Sequence, residues 1–130
     1  MSEIFRVLIV DDSRSIHAFI KAQLCEIENC QFYSAFNGHE ALEILQKNTE
    51  ISVVFLDWEM PILNGLDTMI KIRDMALGCA VIIVTSKNNP EEIQLMLQSG
   101  ANEFIMKPFT KDILISKIEM VLGARLLRVA

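Results

Sequence analysis

Hydrophobic residues along this chain follow two alternating patterns. Short β-branched runs, typical of buried strands, are separated by longer stretches in which apolar residues recur with helical period. The predicted strands span residues 4–10, 31–36, 52–57, 80–85 and 102–106. This alternation favours an α/β domain in which helices cover both faces of a five-stranded parallel sheet.

Capping and breaking residues set the expected helix boundaries. Asn37, with Glu40 three residues later, is a variant of the capping box and begins the second helix. For the later helices we expect starts at Pro90 and Thr110 and ends at Gly78 and Gly100. Helical spacing predicts an inner stripe on the first helix formed by Ile16, Phe19, Ile20 and Leu24.

The chain contains no linker, internal repeat or low-complexity stretch. We therefore expect one domain over residues 1–130, with its core at about residues 4–123. Residues 124–130 either extend the last helix or fray. His17 and His39 fall in predicted helices away from the strand ends, and we expect both on the surface.

The fourth helix has more apolar residues than one face can bury. Ile93 and Leu97 lie on one side, and Leu95 and Met96 lie on another. We expect one of these pairs to be exposed, either as part of an interaction surface or as ordinary scattered surface hydrophobes.

The amino-acid composition excludes several classes of protein. The chain is 52% hydrophobic and 22% charged, which excludes a disordered protein, and its net charge of -5 argues against binding nucleic acid or anionic membranes. Cys25, Cys30 and Cys79 cannot all pair and lack zinc-ligand spacing, which favours free thiols in a reducing compartment. No stretch resembles a signal peptide or a membrane span, so we expect a cytoplasmic protein without membrane insertion.

Polar side chains follow four of the predicted strands where each strand ends. They are Asp11 and Asp12 after the first, Asp57 in the third, Thr85 in the fourth and Lys107 after the fifth. If the strands are parallel, these side chains share the carboxyl edge of the sheet, where open α/β sheets bind ligands. Two carboxylates about 4 Å apart repel by about 4 kcal/mol at an effective dielectric of 20. Either a cation or raised pKa values must relieve this repulsion, and oxygen ligands suit Mg²⁺ better than zinc.

This combination of groups suits phosphoryl transfer. Asp57 can attack phosphorus to form an aspartyl phosphate. Mg²⁺ and Lys107 would neutralise the phosphoryl oxygens, and Thr85 would donate a hydrogen bond to one of them. Each residue alone also has a purely structural interpretation. Lys107 could be a solvated surface charge, and Thr85 could simply be the last residue of a strand.

Four motifs occur together at these strand ends: Val10-Asp11-Asp12, Asp57-Trp58-Glu59-Met60-Pro61 followed by Asn64-Gly65, Val84-Thr85-Ser86, and Lys107-Pro108-Phe109. Together they resemble the response-regulator receiver family, in particular its stand-alone chemotaxis members. The resemblance implies a flavodoxin-like (CheY-like) three-layer sandwich with strand order 2-1-3-4-5. It also implies a monomeric signalling protein of a two-component phosphorelay, without enzymatic turnover beyond its own phosphorylation and dephosphorylation.

The resemblance assigns roles to the site residues. Asp57 would accept phosphate from a phosphohistidine on a histidine kinase or a histidine phosphotransfer protein. Asp12, Asp57 and the backbone carbonyl of Glu59 would bind Mg²⁺, or Mn²⁺ in its place, with Asp11 acting through water. A cis bond before Pro108 would direct Lys107 into the site. On phosphorylation Thr85 would move toward the phosphoryl group, and the aromatic ring at position 104 would swing into the space that it leaves.

Some positions depart from the family pattern or remain open. Phe104 stands where chemotaxis members usually have Tyr, so we expect a less sharply two-state switch. Glu59 and Lys87 are either simply solvated or tune hydrolysis of the acyl phosphate. The resemblance places a target-binding surface on the face formed by helix 4, strand 5 and helix 5, with these residues: Ile93, Leu97, Phe104 and Lys117. Trp58, next to Asp57, is expected to report metal binding by fluorescence.

Other functions remain to be weighed. A relay intermediate would pass its phosphate to another histidine. A phosphohydrolase of the haloacid-dehalogenase type would carry its nucleophile near the first strand and an aspartate where this chain has Glu59. An FMN carrier would need a phosphate-binding loop after the first strand, where Asp11 and Asp12 would repel phosphate. A scaffold that docks without phosphorylation is disfavoured because every site position is filled.

Overall fold

The computed structural model describes residues 4–75 and 77–126. Within them, five strands alternate with five helices: β1 (Phe5–Val10), α1 (Arg14–Gln23), β2 (Cys30–Ala35), α2 (Gly38–Lys47), β3 (Val53–Asp57), α3 (Gly65–Asp74), β4 (Ala80–Thr85), α4 (Pro90–Gln98), β5 (Glu103–Met106) and α5 (Lys111–Leu122). The strands are parallel and lie in the order β2-β1-β3-β4-β5. The expected fold class and strand order are confirmed.

The sheet has a separate apolar cluster on each face. Successive β1 residues alternate between them, with Leu8 and Val10 in one cluster and Val7 and Ile9 in the other. Helices α2, α3 and α4 supply side chains to the first cluster, and α1 and α5 supply them to the second. Every residue of β3 and β4 is buried. The helices therefore cover both faces, and only the ends of the central strands are left for chemistry.

Three expected helix starts are confirmed by their caps. Asn37 accepts a hydrogen bond from the backbone N–H of Glu40 at 2.9 Å, as a capping box requires. Pro90 occupies the first turn of α4, and Thr110 caps α5 through its hydroxyl oxygen. These local bonds satisfy backbone groups that would otherwise lack partners at the helix ends.

Helix ends agree with expectation only in part. Gly100 follows α4 with φ +110, as expected of a terminating glycine, but α3 already ends at Asp74 rather than at Gly78. The backbone N–H of Met75 closes the last turn of α3, and Gly78 lies further along, with no left-handed conformation. Helix α5 ends at Leu122 before the left-handed Gly123, and residues 127–130 lie outside the described residues.

The expected pairing on α4 is wrong. Met96 is fully buried and Ile93 is half-buried, whereas Leu95 and Leu97 are both exposed. Residues 95 and 97 lie about 100° to either side of Met96 around the helix, so both point away from a stripe centred on Met96. Among the described residues, no helix combines the length and the apolar character that spanning a bilayer requires.

Candidate functional site

The predicted polar residues meet at the carboxyl edge of the sheet. The ammonium nitrogen of Lys107 lies 3.4 Å from a carboxylate oxygen of Asp11 and 3.5 Å from one of Asp57. Both carboxylates are buried, whereas Lys107 is partly exposed. The Lys107–Pro108 peptide bond is cis, as the resemblance implied. The ammonium group of Lys107 is therefore shared between Asp57, the last residue of β3, and Asp11, which directly follows β1.

Three carboxylates form a compact oxygen cluster. One oxygen each from Asp11, Asp12 and Asp57 lies within 4.8 Å of the others, with Asp12 exposed and the other two buried. All three donors are hard oxygen ligands, and the exposed side of the cluster leaves room for water. This donor set fits a divalent cation of the Mg²⁺ or Ca²⁺ class better than one that prefers nitrogen or sulfur.

The surroundings of Asp57 disfavour the ionised form of its carboxyl group. Burial, and after it the negative charge of Asp11, raise the pKa of its carboxyl group from 3.8 to about 6. Lys107 and a hydrogen bond from the backbone N–H of Glu59 oppose this rise without cancelling it. The ionised form of Asp57 would therefore gain from any additional positive charge.

Four polar contacts hold Asp11 in place. Its backbone N–H donates to Ala35, which extends the pairing of β1 and β2 by one residue. Its carboxylate accepts the backbone N–H of Ser13 at 2.8 Å and contacts Lys107. Its backbone carbonyl accepts a hydrogen bond from His17 Nε2 at 2.8 Å. The chain is thus fixed at the point where it leaves the sheet.

The surface prediction for His17 is wrong, whereas His39 is exposed as expected. His17 is buried because it precedes Ile20 by three residues and Leu24 by seven, which places it on the inner stripe of α1. The expected stripe member Phe19 is 39% exposed instead. The spacing to Ile20 and Leu24 was the signal in the sequence that would have identified His17 as an inner residue.

Thr85 ends β4 beside Asp57, since Asp57 pairs with the preceding residue, Val84. Its side chain is buried, and its hydroxyl oxygen accepts the backbone N–H of Lys87 at 2.9 Å. A hydroxyl group that accepts one hydrogen bond retains its own hydrogen for donation. Thr85 thus offers a donor at the same edge of the sheet.

The loop after β3 depends on two unusual backbone positions. A Cβ atom on Gly65 would lie 2.6 Å from the Cα atom of Trp58 and 2.8 Å from the carbonyl oxygen of Asp57, so α3 starts where only glycine fits. Ile62 has φ 72, although it is β-branched, and it is 81% exposed. The loop beside Asp57 is therefore tightly packed at one end and strained at its tip.

The residues after Asp57 contact the loop and helix that follow β4. The indole N–H of Trp58 donates to a carboxylate oxygen of Glu92 at 3.1 Å, in the first turn of α4. Glu59 accepts a hydrogen bond from Ser86 at 3.2 Å and lies 4.0 Å from the ammonium group of Lys87. The sequence did not predict the contact with Glu92, because side chains 34 positions apart show no periodic relationship.

The expected output residues lie on neighbouring elements at one side of the sheet. Lys117 on α5 lies 5.3 Å from the centre of the Phe104 ring and 3.1 Å from the carboxylate of Glu103. Phe104 itself is half-buried on β5. Ile93 and Leu97 belong to α4, the helix beside β5, and Leu97 is exposed. The structure therefore brings Phe104 and Lys117 together directly.

Comparison with known proteins identifies the family. A family model described as the response regulator receiver domain matches residues 7–119. A chemotaxis protein CheY homologue of Campylobacter jejuni is 36% identical over 124 residues, which cover 91% of this chain and 92% of the relative. Chemotaxis protein CheY1 of Helicobacter pylori is 36% identical over 120 residues, covering 91% and 97% respectively.

Solved structures agree with these sequence relatives. The chemotaxis protein CheY4 of Vibrio cholerae matches with a TM-score of 0.84 at 27% identity, over 92% of this chain and 99% of the other. A receiver domain of a Francisella response regulator matches with a TM-score of 0.82 at 31% identity, over 91% and 96%. From its sequence, its strand order and the acidic cluster at its sheet edge, this chain belongs to the response regulator receiver domain family.

Proposed function

We propose that this protein is a stand-alone response regulator that accepts a phosphoryl group on Asp57 from a phosphohistidine. The donor would be a histidine kinase or a histidine phosphotransfer protein. A carboxylate oxygen of Asp57 attacks phosphorus, the P–N bond of the donor breaks, and its electron pair stays on the imidazole. The observation that supports this proposal is the position of the buried Asp57 carboxylate beside Lys107 and Asp11.

The neighbouring residues have distinct roles in this transfer. Lys107 neutralises charge on the phosphoryl oxygens, and the hydroxyl group of Thr85 donates to one of them. Asp12, Asp57 and the backbone carbonyl of Glu59 would hold Mg²⁺, with Asp11 acting through a water molecule. A bound divalent cation supplies positive charge where the carboxylates and the phosphoryl group would otherwise repel one another.

Phosphorylation would be read by a partner protein on the face formed by α4, β5 and α5. The half-buried Phe104 ring lies under Lys117, and exposed Leu97 with half-buried Ile93 offers apolar area on α4. Such a surface suits a helix or an extended peptide. A chemotaxis or motility output is supported by the names of the relatives in Campylobacter and Helicobacter.

The test is intact-mass spectrometry after incubation with acetyl phosphate, with and without Mg²⁺. The wild type should gain one phosphoryl adduct that requires Mg²⁺ and decays with time. Asp57→Asn should gain none, whereas Asp112→Asn, which removes an exposed carboxylate at the start of α5, should label like the wild type. Labelling that persists in Asp57→Asn would refute the assignment of the acceptor.

Fluorine labelling at Phe104 tests the switch separately. The ¹⁹F spectrum of this ring should change when a phosphoryl analogue is bound, because the ring would exchange between half-buried and inward positions. Identical spectra in the two states would exclude a role for Phe104 in switching, while leaving the transfer to Asp57 in place.

A further inference from the structure

His17 makes two hydrogen-bonding contacts that ordinary packing does not require, and one aromatic ring contact. Its Nε2 lies 2.8 Å from the carbonyl oxygen of Asp11, and its Nδ1 lies 3.2 Å from the hydroxyl oxygen of Ser34. Its ring also lies against Phe36, with the two ring centres 4.4 Å apart. Because a carbonyl oxygen can only accept, Nε2 must carry a hydrogen. In the neutral ring Nδ1 is then free to accept the hydroxyl hydrogen of Ser34.

These contacts tie three elements together where the acidic loop begins. His17 lies on α1, Ser34 lies near the end of β2, and Asp11 directly follows β1. The ring is buried, so the hydrogen bond to Asp11 is not in competition with bulk water. The orientation of the Asp11 carbonyl group is therefore set by a side chain from the next helix.

The carbonyl group of Asp11 and the N–H group of Asp12 belong to one planar peptide unit. Fixing the direction of that carbonyl therefore fixes the N and Cα atoms of Asp12, which limits the directions in which the Asp12 side chain can project. Asp12 is the exposed member of the carboxylate cluster, so packing restrains its side chain less than burial restrains those of Asp11 and Asp57.

We propose that His17 is a positioning residue for the acidic cluster. Its hydrogen bond to the Asp11 carbonyl holds the Asp11–Asp12 peptide so that both carboxylates face Asp57 and share a divalent cation with it. This inference rests on the proposed function only through the cation site. It concerns His17 itself, which touches neither the cation nor the phosphoryl group.

A pair of variants separates the hydrogen bond from packing. His17→Gln keeps an N–H donor at nearly the reach of Nε2, whereas His17→Leu keeps apolar bulk and removes the donor. The measurement is the dissociation constant for Mg²⁺ alone, followed by Trp58 fluorescence. We expect His17→Leu to bind Mg²⁺ about tenfold more weakly, since groups that support metal ligands contribute on that scale. His17→Gln should recover most of the loss, and the exposed control His39→Leu should bind as the wild type does.

Ser34→Ala is a milder variant for use if His17→Leu does not fold. It removes the group that holds Nδ1 while leaving the ring in place, so it should weaken Mg²⁺ binding in the same direction and by less. Acetyl phosphate labelling gives a second readout. The Mg²⁺ concentration needed for half-maximal labelling should rise in His17→Leu, and the rate at saturating Mg²⁺ should match the wild type.

Three results would overturn the proposal. They are unchanged Mg²⁺ affinity in folded His17→Leu or Ser34→Ala, equally weak binding by His17→Gln and His17→Leu, and absence of Mg²⁺ binding by the wild type. A wild type that binds Mg²⁺ but is never labelled would instead refute the proposed phosphoryl transfer. The comparison of Mg²⁺ affinities would remain valid in that case.

Discussion

Replacing Asp57 with asparagine should make the metal-free protein more stable at neutral pH. The substitution conserves shape but removes a negative charge from a buried position beside Asp11. A carboxylate that is harder to ionise in the folded chain than in the unfolded chain opposes folding whenever it is ionised. On the proposed function, the charge of Asp57 would serve phosphoryl transfer at the expense of stability.

The magnitude follows from the pKa of Asp57. Burial and the charge of Asp11 raise this pKa from 3.8 to about 6. Two pKa units correspond to about 3 kcal/mol, which we take as an upper limit for the cost of the ionised group. Well below pH 3.8 the carboxyl group is protonated in both the folded and the unfolded state, and the cost vanishes. It develops as pH rises through 4 to 6 and is constant above that range.

The assay is urea unfolding of wild type and Asp57→Asn in EDTA between pH 4 and pH 8. We expect the variant to gain about 1–3 kcal/mol in the free energy of unfolding at pH 7.5, and only about 0.5 kcal/mol at pH 4. Adding Mg²⁺ should stabilise the wild type and narrow the gap, because the cation binds the folded, ionised form. Asp112→Asn, on the surface of α5, serves as the control. A variant no more stable than the wild type at pH 7.5, or a gain that is the same at every pH, would refute this reasoning.

Three further substitutions test other parts of the site. Ile62→Asn should raise the free energy of unfolding by about 1 kcal/mol in urea titrations, because asparagine tolerates the left-handed conformation and the exposed isoleucine loses no packing. Gly65→Ala should lower it by about 1–3 kcal/mol and also slow phosphoryl labelling, since the added Cβ would press on the backbone of the preceding loop. Glu59→Ala should change the decay rate of the phosphoryl adduct in timed mass spectra, with stability unchanged within about 0.5 kcal/mol.

Each of these expectations can fail in a distinct way. A less stable Ile62→Asn variant would mean that the isoleucine side chain makes contacts that offset its backbone strain. A Gly65→Ala variant of normal stability would show that the start of α3 can move away from β3. An unchanged decay rate in Glu59→Ala would leave the carboxylate of Glu59 as an ordinary surface charge.

The sheet and much of the site were predictable because their signals are local. Each of the four polar strand ends follows a hydrophobic run, and parallel strands bring their carboxyl ends to one edge. The placement of Asp57 beside Lys107 and Asp11 thus follows from strand order and strand length alone. The signals for the starts of α2, α4 and α5 were also local, because each capping side chain contacts a residue three positions further along the chain.

Other features were not predictable because they depend on packing between distant segments. The expected apolar pairs on α4 were wrong, since the side of a helix that is buried depends on how the helix is rotated against the sheet. The hydrogen bond between Trp58 and Glu92 joins the loop after β3 to the first turn of α4, and the sequence does not encode the distance between these segments locally. The inward position of His17 was open to prediction from helical spacing, but its bond to the carbonyl of Asp11 requires the turn after β1 to be known.

The contact between Lys107 and Asp11 joins residues 96 positions apart in the chain. The acidic cluster therefore gains this ammonium group only when β5 takes its place at the edge of the sheet. A nascent chain or a folding intermediate without β5 holds the carboxylates of β1 and β3 with no ammonium group between them. Closing so long a loop costs chain entropy, which must be offset before this contact can hold. A chain in which β5 has not docked would therefore lack the ammonium group on which the proposed transfer to Asp57 depends.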